Sequence, residues 1–582
     1  MPFYSISLEQ FRNRLSHLEA LPQYTLLGII SGVVTGLIIL VFRQAIEIPL
    51  RWWLPEGDPE NFEALSSQIR FISALGGATL IGILYSVISK EAQQVGVIRV
   101  LDRLNFHEGH FRLRNAITQF VVGVITLVSG QSAGREGTAI HLGAACNSYL
   151  GRRFKLPNNS IRILAGCGTA AAISASFNTP IAGVIFAMEV VMMEYTLAGF
   201  TPVIVAAVSA AFISQIVYGA ESAFSVPAIG IETLMDIPFT IALGLIIGTV
   251  AAAFISLVKW LTRFNHHHVF PRSVVAGIVT GMLAIPIPSI MGIGYDSVNL
   301  ALTGTASFGL LAALAVGKFV ATAVPVGLGL PYSLIGPVMV IGASTGATLG
   351  YLAIWLAPEH SSELALYAML GMGAMMGAVL QAPLAALMAL LELTGNHHII
   401  LPGMLAIVIA HLTARVIFKQ DSIFTTLLAA QGVELKDKPV LQALNRMGVA
   451  SLMNEKFQLH DRLTCMEETH KLLQTKPEWI ILTTEGNPVA LLPAVDLARH
   501  LESIEANNKT TAEKAQIDLL SIPARRRDLK NIPWEATIQE ALSTLQASGA
   551  EALYVERIRT PMIKSVVGVI TRDDIENYYL YK

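Results

Sequence analysis

The stretch Ser129-Gly130-Gln131-Ser132-Ala133-Gly134-Arg135-Glu136-Gly137 separates the apolar run Ile117–Val128 from a helical pattern over Thr138–Leu150. Glycines free the backbone to turn sharply, so the stretch reads as a break between helices rather than one continuous span. Broken backbone inside a bilayer must be buried in protein or line a watery cavity, because its N–H and C=O groups otherwise go unpaired. The helix that follows presents unpaired N–H groups at its start, where the macrodipole places about half a positive charge. Such an end attracts anions. Glu136 is itself an anion at that end: it can occupy the site, and protonation lets it leave. An ionisable side chain at membrane depth is a functional candidate by default. The plainer reading is a structural Arg135–Glu136 ion pair, but adjacent helix residues do not face each other.

The surrounding composition places that stretch in lipid. Of 582 residues, 53% are hydrophobic and 14% charged, and the mean hydropathy is +0.56. A soluble domain carries about 25% charged residues. Charge thins between Asn115 and Phe418 and thickens after Glu434. That contrast excludes an ordinary cytosolic enzyme and a disordered scaffold, and describes an integral, multi-pass membrane protein with a soluble tail. Lys+Arg 40 against Asp+Glu 42 leave a net charge of −2, so no basic field draws in nucleic acid. Cys146, Cys167 and Cys465 make neither a disulfide framework nor a metal-ligand spacing. Arg12, Arg14 and His17 precede the first apolar run with no small-residue cleavage site, so that run is expected to stay in the protein.

Further apolar runs fall at Thr25–Phe42, Ile72–Ile88, Ile161–Met188, Pro202–Val217 and Phe239–Val258. Others follow at Ser273–Met291, Ser307–Val326, Tyr332–Leu356, Leu364–Leu391 and Ile400–Phe418. A straight span needs about 20 apolar residues, and many of these are short or cut, as by Gly327-Leu328-Gly329-Leu330-Pro331. Half-helices meeting inside the membrane are a feature of transport proteins. An internal repeat agrees. Gly166-Cys167-Gly168 leads to Asn178-Thr179-Pro180-Ile181-Ala182 and Glu189, while Gly371-Met372-Gly373 leads to Gln381-Ala382-Pro383-Leu384-Ala385 and Glu392. The prolines and the glutamates are each 203 positions apart, although the glycine-to-proline spacing differs by two. Two related halves with broken helices predict an inverted repeat with a site near the midplane. Small residues that merely let helices pack closely are the blander reading.

Beyond Gln431 two segments look alike. Val449–Leu501 predicts strands Trp479–Leu482 and Val489–Leu492 around a Gly486-Asn487 turn, then helix Ala494–His500. Leu529–Tyr579 predicts helix Ile538–Gln546, strands Ala552–Val555 and Val566–Ile570, and helix Asp573–Tyr578. The polar stretch Glu505–Lys514 joins them. The fold class is therefore an all-α polytopic membrane domain with broken helices, followed by a small soluble α/β pair. Its expected divisions are 1–24, 25–430 and 431–582.

Three strings in order make the sequence resemble the CLC family of chloride channels and proton-coupled chloride antiporters. They are Gly134-Arg135-Glu136-Gly137, Phe177-Asn178-Thr179-Pro180-Ile181-Ala182-Gly183 ending at Glu189, and Leu391-Glu392-Leu393-Thr394-Gly395-Asn396. The match runs from about Thr25 to Leu427. The resemblance implies that Glu136 is a gating glutamate that competes with anions and carries protons. It implies an anion path lined by backbone amides at Arg135 and Gly137, at Gln94, Val95 and Gly96, and at Leu334, Ile335 and Gly336. A pore-lining tyrosine of the family aligns with Phe424. Val95 and Phe424 both lack the hydroxyl found in the family, so Ser333, Ser422 and Thr425 become candidate substitutes. The inner proton-transfer glutamate aligns with Val190, which family channels often share. Glu194 has the spacing to share that helix face, unless it is a loop carboxylate.

The tail resembles the CBS pair that many such proteins carry. The resemblance implies a candidate adenine-nucleotide site at Asp496, Thr571 and Asp574, although Pro493 stands where a hydroxyl is usual. It also implies a homodimer meeting through Ala187–Val217 and Pro402–Phe418, and a cytoplasmic tail. His266-His267-His268 and His397-His398 show no converging partner set, so no metal site is expected. A cation transporter sharing the tail should carry acidic clusters in its spans, and a membrane enzyme should carry a nucleophile–base or metal set; neither pattern appears. The expected partners are a small anion such as chloride, protons, and the lipid bilayer.

Overall fold

A computed structural model of the chain describes residues 11–12, 15, 20–94, 96–224, 226, 236–358, 362–433, 444–445, 447–506, 516–560 and 563–580. Val95, most of 1–24 and most of Glu505–Lys514 lie outside the described residues. The chain divides into two compact units. One is Tyr24–Phe154 with Ile161–Lys436; the other is Asp437–Lys582 with Met1–Gln23 and Lys155–Ser160.

The first unit is helical. Eight of its described helices are long and apolar enough to cross a bilayer, and five shorter apolar helices lie among them. Their starts carry ordinary caps. Ser66 accepts from the Ile69 N–H, Thr196 from Gly199, and Ser307 from Leu310, each satisfying a donor the helix cannot.

Two expected spans are corrected. Ile161–Met188 is two helices, Asn158–Phe177 and Pro180–Phe186, the second running on as a π turn to Met192. Leu364–Leu391 is likewise Leu364–Leu380 and Pro383–Thr394. Proline has no N–H to continue a helix, and it drives the residue before it out of the helical region. Thr179 (φ −123°, ψ 76°) and Ala382 (φ −132°, ψ 74°) show this displacement. The residues ahead of them, Asn178 (φ 60°) and Gln381 (φ 57°), are left-handed. The two breaks thus share one backbone course.

The glycine discrepancy resolves at the same time. Gly168, not Gly166, corresponds to Gly371. A Cβ on Gly168 would lie 2.2 Å from the Gly143 carbonyl oxygen, and one on Gly371 would lie 2.3 Å from that of Gly342. Both positions let two helices meet backbone to backbone, and they are 203 residues apart, like the prolines and glutamates. The repeats also exchange caps. Glu392 accepts from Ile181 N (3.0 Å) and Ala182 N (2.7 Å), and Glu189 from Leu384 N (3.3 Å) and Ala385 N (2.8 Å). Each proline-started helix is closed by the other repeat's carboxylate.

The second unit holds a six-stranded sheet. Its strands are β1 (Phe457–Asp461), β3 (Trp479–Thr484), β4 (Asn487–Pro493), β6 (Arg527–Pro533), β7 (Ala552–Thr560) and β8 (Ile563–Thr571). Strands β2 (Leu463–Cys465) and β5 (Gln516–Asp518) form a separate pair. In the first half β1 is parallel to β3, which is antiparallel to β4; β6, β7 and β8 repeat that pattern. The halves join at Ala490↔Asp528 and Leu491↔Arg527. Sequence reading missed β1 and β6 because each offers only two large apolar residues, Phe457 and Leu459 or Leu529 and Ile532, among polar and charged ones.

Candidate functional site

The centre of the membrane unit is built from two helix starts. Helix Glu136–Arg153 and helix Ile335–Leu356 begin beside each other, pinned by an antiparallel bridge in which Gly134 N donates to Ser333 O (2.8 Å). Ser333 Oγ accepts from Gly137 N at 2.9 Å. Glu136 is fully buried and folds across to the second helix start. Its Oε2 accepts from Gly336 N (3.2 Å) and Ser333 Oγ (3.2 Å), and its Oε1 from Tyr295 OH (3.1 Å). A Cβ on Gly134 would stand 1.9 Å from Oε2, so glycine is required there while the carboxylate is in this seat. A backbone amide and two hydroxyls hold the carboxylate, a donor set of the kind that suits a negative charge.

Two cations of this region are engaged by backbone carbonyls. Arg135 donates to the Ser176 carbonyl (2.7 Å), and its guanidinium lies 5.5 Å from the Tyr295 ring centre. It therefore does not pair with Glu136, consistent with the adjacency argument. Lys318, also fully buried, donates to Ile290 O (2.9 Å) and Gly292 O (2.8 Å). It fastens the segment that delivers Tyr295.

Glu136 itself lines a small apolar cavity of about 30 Å³, and two larger ones reach the residues beside it. Its neighbours Arg135 and Tyr295 line one of about 330 Å³, and Gly137, Ser333 and Ile335 line another of about 750 Å³. The smaller of these two is rich in carboxylates: Glu47, Asp58, Glu60, Glu63 and Asp296 stand with Arg43 and Arg51. Burial, reinforced by the neighbouring Asp296 charge, pushes Glu60 up to about 7. Burial and Asp58 push Asp296 up to about 6. The larger cavity has Lys90, Arg272 and His266–His268 on its wall and no carboxylate among its described lining residues. It gathers Gln94, Gly96, Gly137, Leu334, Ile335 and Phe424, six of the positions expected from sequence. Gly336 stays on the Glu136 carboxylate instead.

Other expectations separate. Val190 is buried in the π turn, but that turn ends at Met192 and Met193 is left-handed (φ 53°), so Glu194 lies beyond the helix and does not share its face. Ser422 accepts from Phe424 N, and Thr425 Oγ1 donates to Ser422 O, so both serve a local cap. In the tail, Thr571 and Asp574 bond each other (Oγ1 to Oδ2 2.7 Å), while Asp496 accepts from Arg525 N (3.0 Å). The histidine run, discounted in sequence, lies on the larger cavity's wall. Tyr295 and Lys318 were also missed. Lys318 carried a usable signal, a lone cation within an apolar run; Tyr295 carried none.

Broken spans and paired helix starts around a buried carboxylate define an integral, multi-pass membrane protein of the transport type. The chain belongs to the voltage-gated chloride channel family: residues 77–415 match its family model. It is 28% identical over 393 residues to a putative chloride channel protein ClcB-like of Ralstonia nicotianae, covering 66% of this chain and 91% of that one. It is 27% identical over 391 residues to an H(+)/Cl(-) exchange transporter ClcA of Vibrio cholerae, covering 65% and 83%. The fold is similar to a crystal structure of a slow cyanobacterial Cl−/H+ antiporter, with TM-score 0.62 and 22% identity over 70% of this chain and 97% of that one.

Proposed function

We propose that the protein carries chloride or a similar small anion across a bilayer, with Glu136 as a gate that leaves its seat on protonation. The observation that carries this reading is the Glu136 carboxylate at Gly336 N, Ser333 Oγ and Tyr295 OH, with Arg135 lining one cavity and Gly137 the other. The vacated donors would hold the anion, and Arg135 and Gly137 would keep the first helix start in place. The acid-rich cavity faces outward in this reading, and the carboxylate-free one faces the cytoplasm. Two copies would assemble through Ala187–Val217 and Pro402–Phe418, whose Phe212, Ile216, Val408 and Val416 are exposed apolar side chains. The two matching tail halves support a cytoplasmic CBS-like pair at 431–582. Its expected nucleotide residues are engaged with each other or with backbone, which favours a packing role.

Chloride efflux from liposomes holding the purified protein tests the gate. Glu136→Gln should free anion flux and remove most of its dependence on pH; unchanged flux and pH dependence contradict the gate. A second reading, anion flow without obligatory proton exchange, is favoured by Val190 and by Glu194 lying past the helix end. Reversal potentials under paired chloride and pH gradients separate the two.

A further inference from the structure

Buried tyrosine hydroxyls nearly always find a partner, because leaving one unpaired forfeits its hydration with no return. Two on the wall of the larger cavity have none among the described residues. Tyr85, near the end of helix Ser67–Val87, is 2% exposed, and Tyr332, just before helix Ile335–Leu356, is 6% exposed. Neither hydroxyl makes a hydrogen bond. Their backbones do: Tyr85 O accepts from Gln93 Nε2 (2.7 Å), and Tyr332 N donates to Leu330 O (2.8 Å). The two come from elements far apart in sequence, yet line the same cavity. Tyr332 immediately precedes Ser333, whose hydroxyl holds Glu136.

The cavity around them suits one kind of ligand. Its described lining has cations and no carboxylate, Phe424 brings no side-chain donor, and Gln119 already gives its amide to Thr138. A phenol donates through O–H and matches a partner that only accepts. We propose that Tyr85 and Tyr332 are anion-binding residues, taking up a partly dehydrated halide on the cation-lined side of Glu136 and setting the affinity of that step. This rests on the anion-transport reading and adds the residues that grip the anion before it reaches Ser333 and Gly336.

The test compares Tyr85→Phe, Tyr332→Phe and the double variant with wild type in liposome flux against chloride concentration. Each single change should raise the half-saturating chloride roughly tenfold or more, the weight of one hydrogen bond to a charged group, with little change in maximal rate. The rise in melting temperature on adding chloride should shrink in parallel. Tyr351→Phe is the control, since its hydroxyl already bonds Ala306 O (2.8 Å); it should lower stability without moving chloride affinity. Should a variant fail to fold, spectra of intact wild type with ¹³Cζ-labelled tyrosine replace it, and two resonances should move with chloride but not with gluconate. Wild-type half-saturation in both variants, or tyrosine spectra indifferent to chloride, overturns the assignment while Glu136→Gln still frees flux. Absence of any chloride flux or chloride-dependent stabilisation in wild type removes the transport reading, and this proposal with it.

Discussion

Glu189 and Glu392 each cap the start of the helix in the opposite repeat, whereas Glu136 has no matching carboxylate. The matching helix start lies 199 residues on, the offset of Gly143 and Gly342, and begins with the apolar Ile335. The matched pair is half-buried, and each carboxylate accepts from two successive backbone N–H groups. Glu136 is enclosed, takes one backbone N–H, and relies on Ser333 and Tyr295 for the rest. Symmetry is kept where carboxylates cap the paired helices and lost at Glu136, the residue proposed to compete with an anion. Two backbone N–H groups fix a carboxylate more firmly than one shared with rotatable hydroxyls.

Substitutions should expose the difference. Glu136→Gln is expected to have the largest effect, a rise in anion flux at neutral pH of roughly tenfold or more, since a charge-assisted hold is lost; melting temperature should barely move. Gly134→Ala places a methyl where Oε2 lies, so it should eject the carboxylate and give flux close to that of Glu136→Gln. Wild-type pH dependence in that variant would break the contrast. Glu189→Ala and Glu392→Ala should do the reverse, costing about 1–3 kcal/mol of stability through stranded N–H groups, with the pH profile of flux unchanged. Denaturation in detergent and flux at several pH values read both.

Glu60 is a third kind of carboxylate: it stands in the acid-rich cavity and accepts from Asp296 N (3.3 Å) in the first turn of the short helix Tyr295–Leu302. With its pKa near 7, it is neutral below that pH and charged above, so acidification on its side lowers the repulsion an entering anion meets. Glu60→Gln should remove the part of the flux increase between about pH 8 and 6, an effect of a few-fold that shrinks at high salt. A profile unchanged by that substitution would assign all the pH dependence to Glu136. The smallest effect is expected at Thr537, whose side chain and Glu540 form a capping box in the tail; Thr537→Ala should cost about 1 kcal/mol there and leave flux alone.

Much of this was legible in the chain. Apolar runs mark the spans because lipid demands them, and the Gly134–Gly137 string announces a helix start with an anion on it. The cuts at Asn178 and Gln381 were visible as motifs, yet both spans read as continuous because the apolar run carries on past each proline. The tyrosines were not legible. Tyr85, Tyr295 and Tyr332 look like ordinary membrane aromatics until packing brings distant elements together, and no spacing rule links residue 85 to residue 332. Pairing Gly166 with Gly371 failed for a related reason: which glycine bears a close helix crossing depends on the neighbour it meets, Gly143 or Gly342.

The claim beneath all of this is that an anion and the Glu136 side chain take turns on one set of donors. Anomalous diffraction from Glu136→Gln crystals soaked in bromide addresses it directly. The expected result is a bromide peak within hydrogen-bond reach of Gly336 N and Ser333 Oγ, where the wild-type carboxylate lies. A well-occupied bromide elsewhere in the cavities, with that position unfilled, would contradict it.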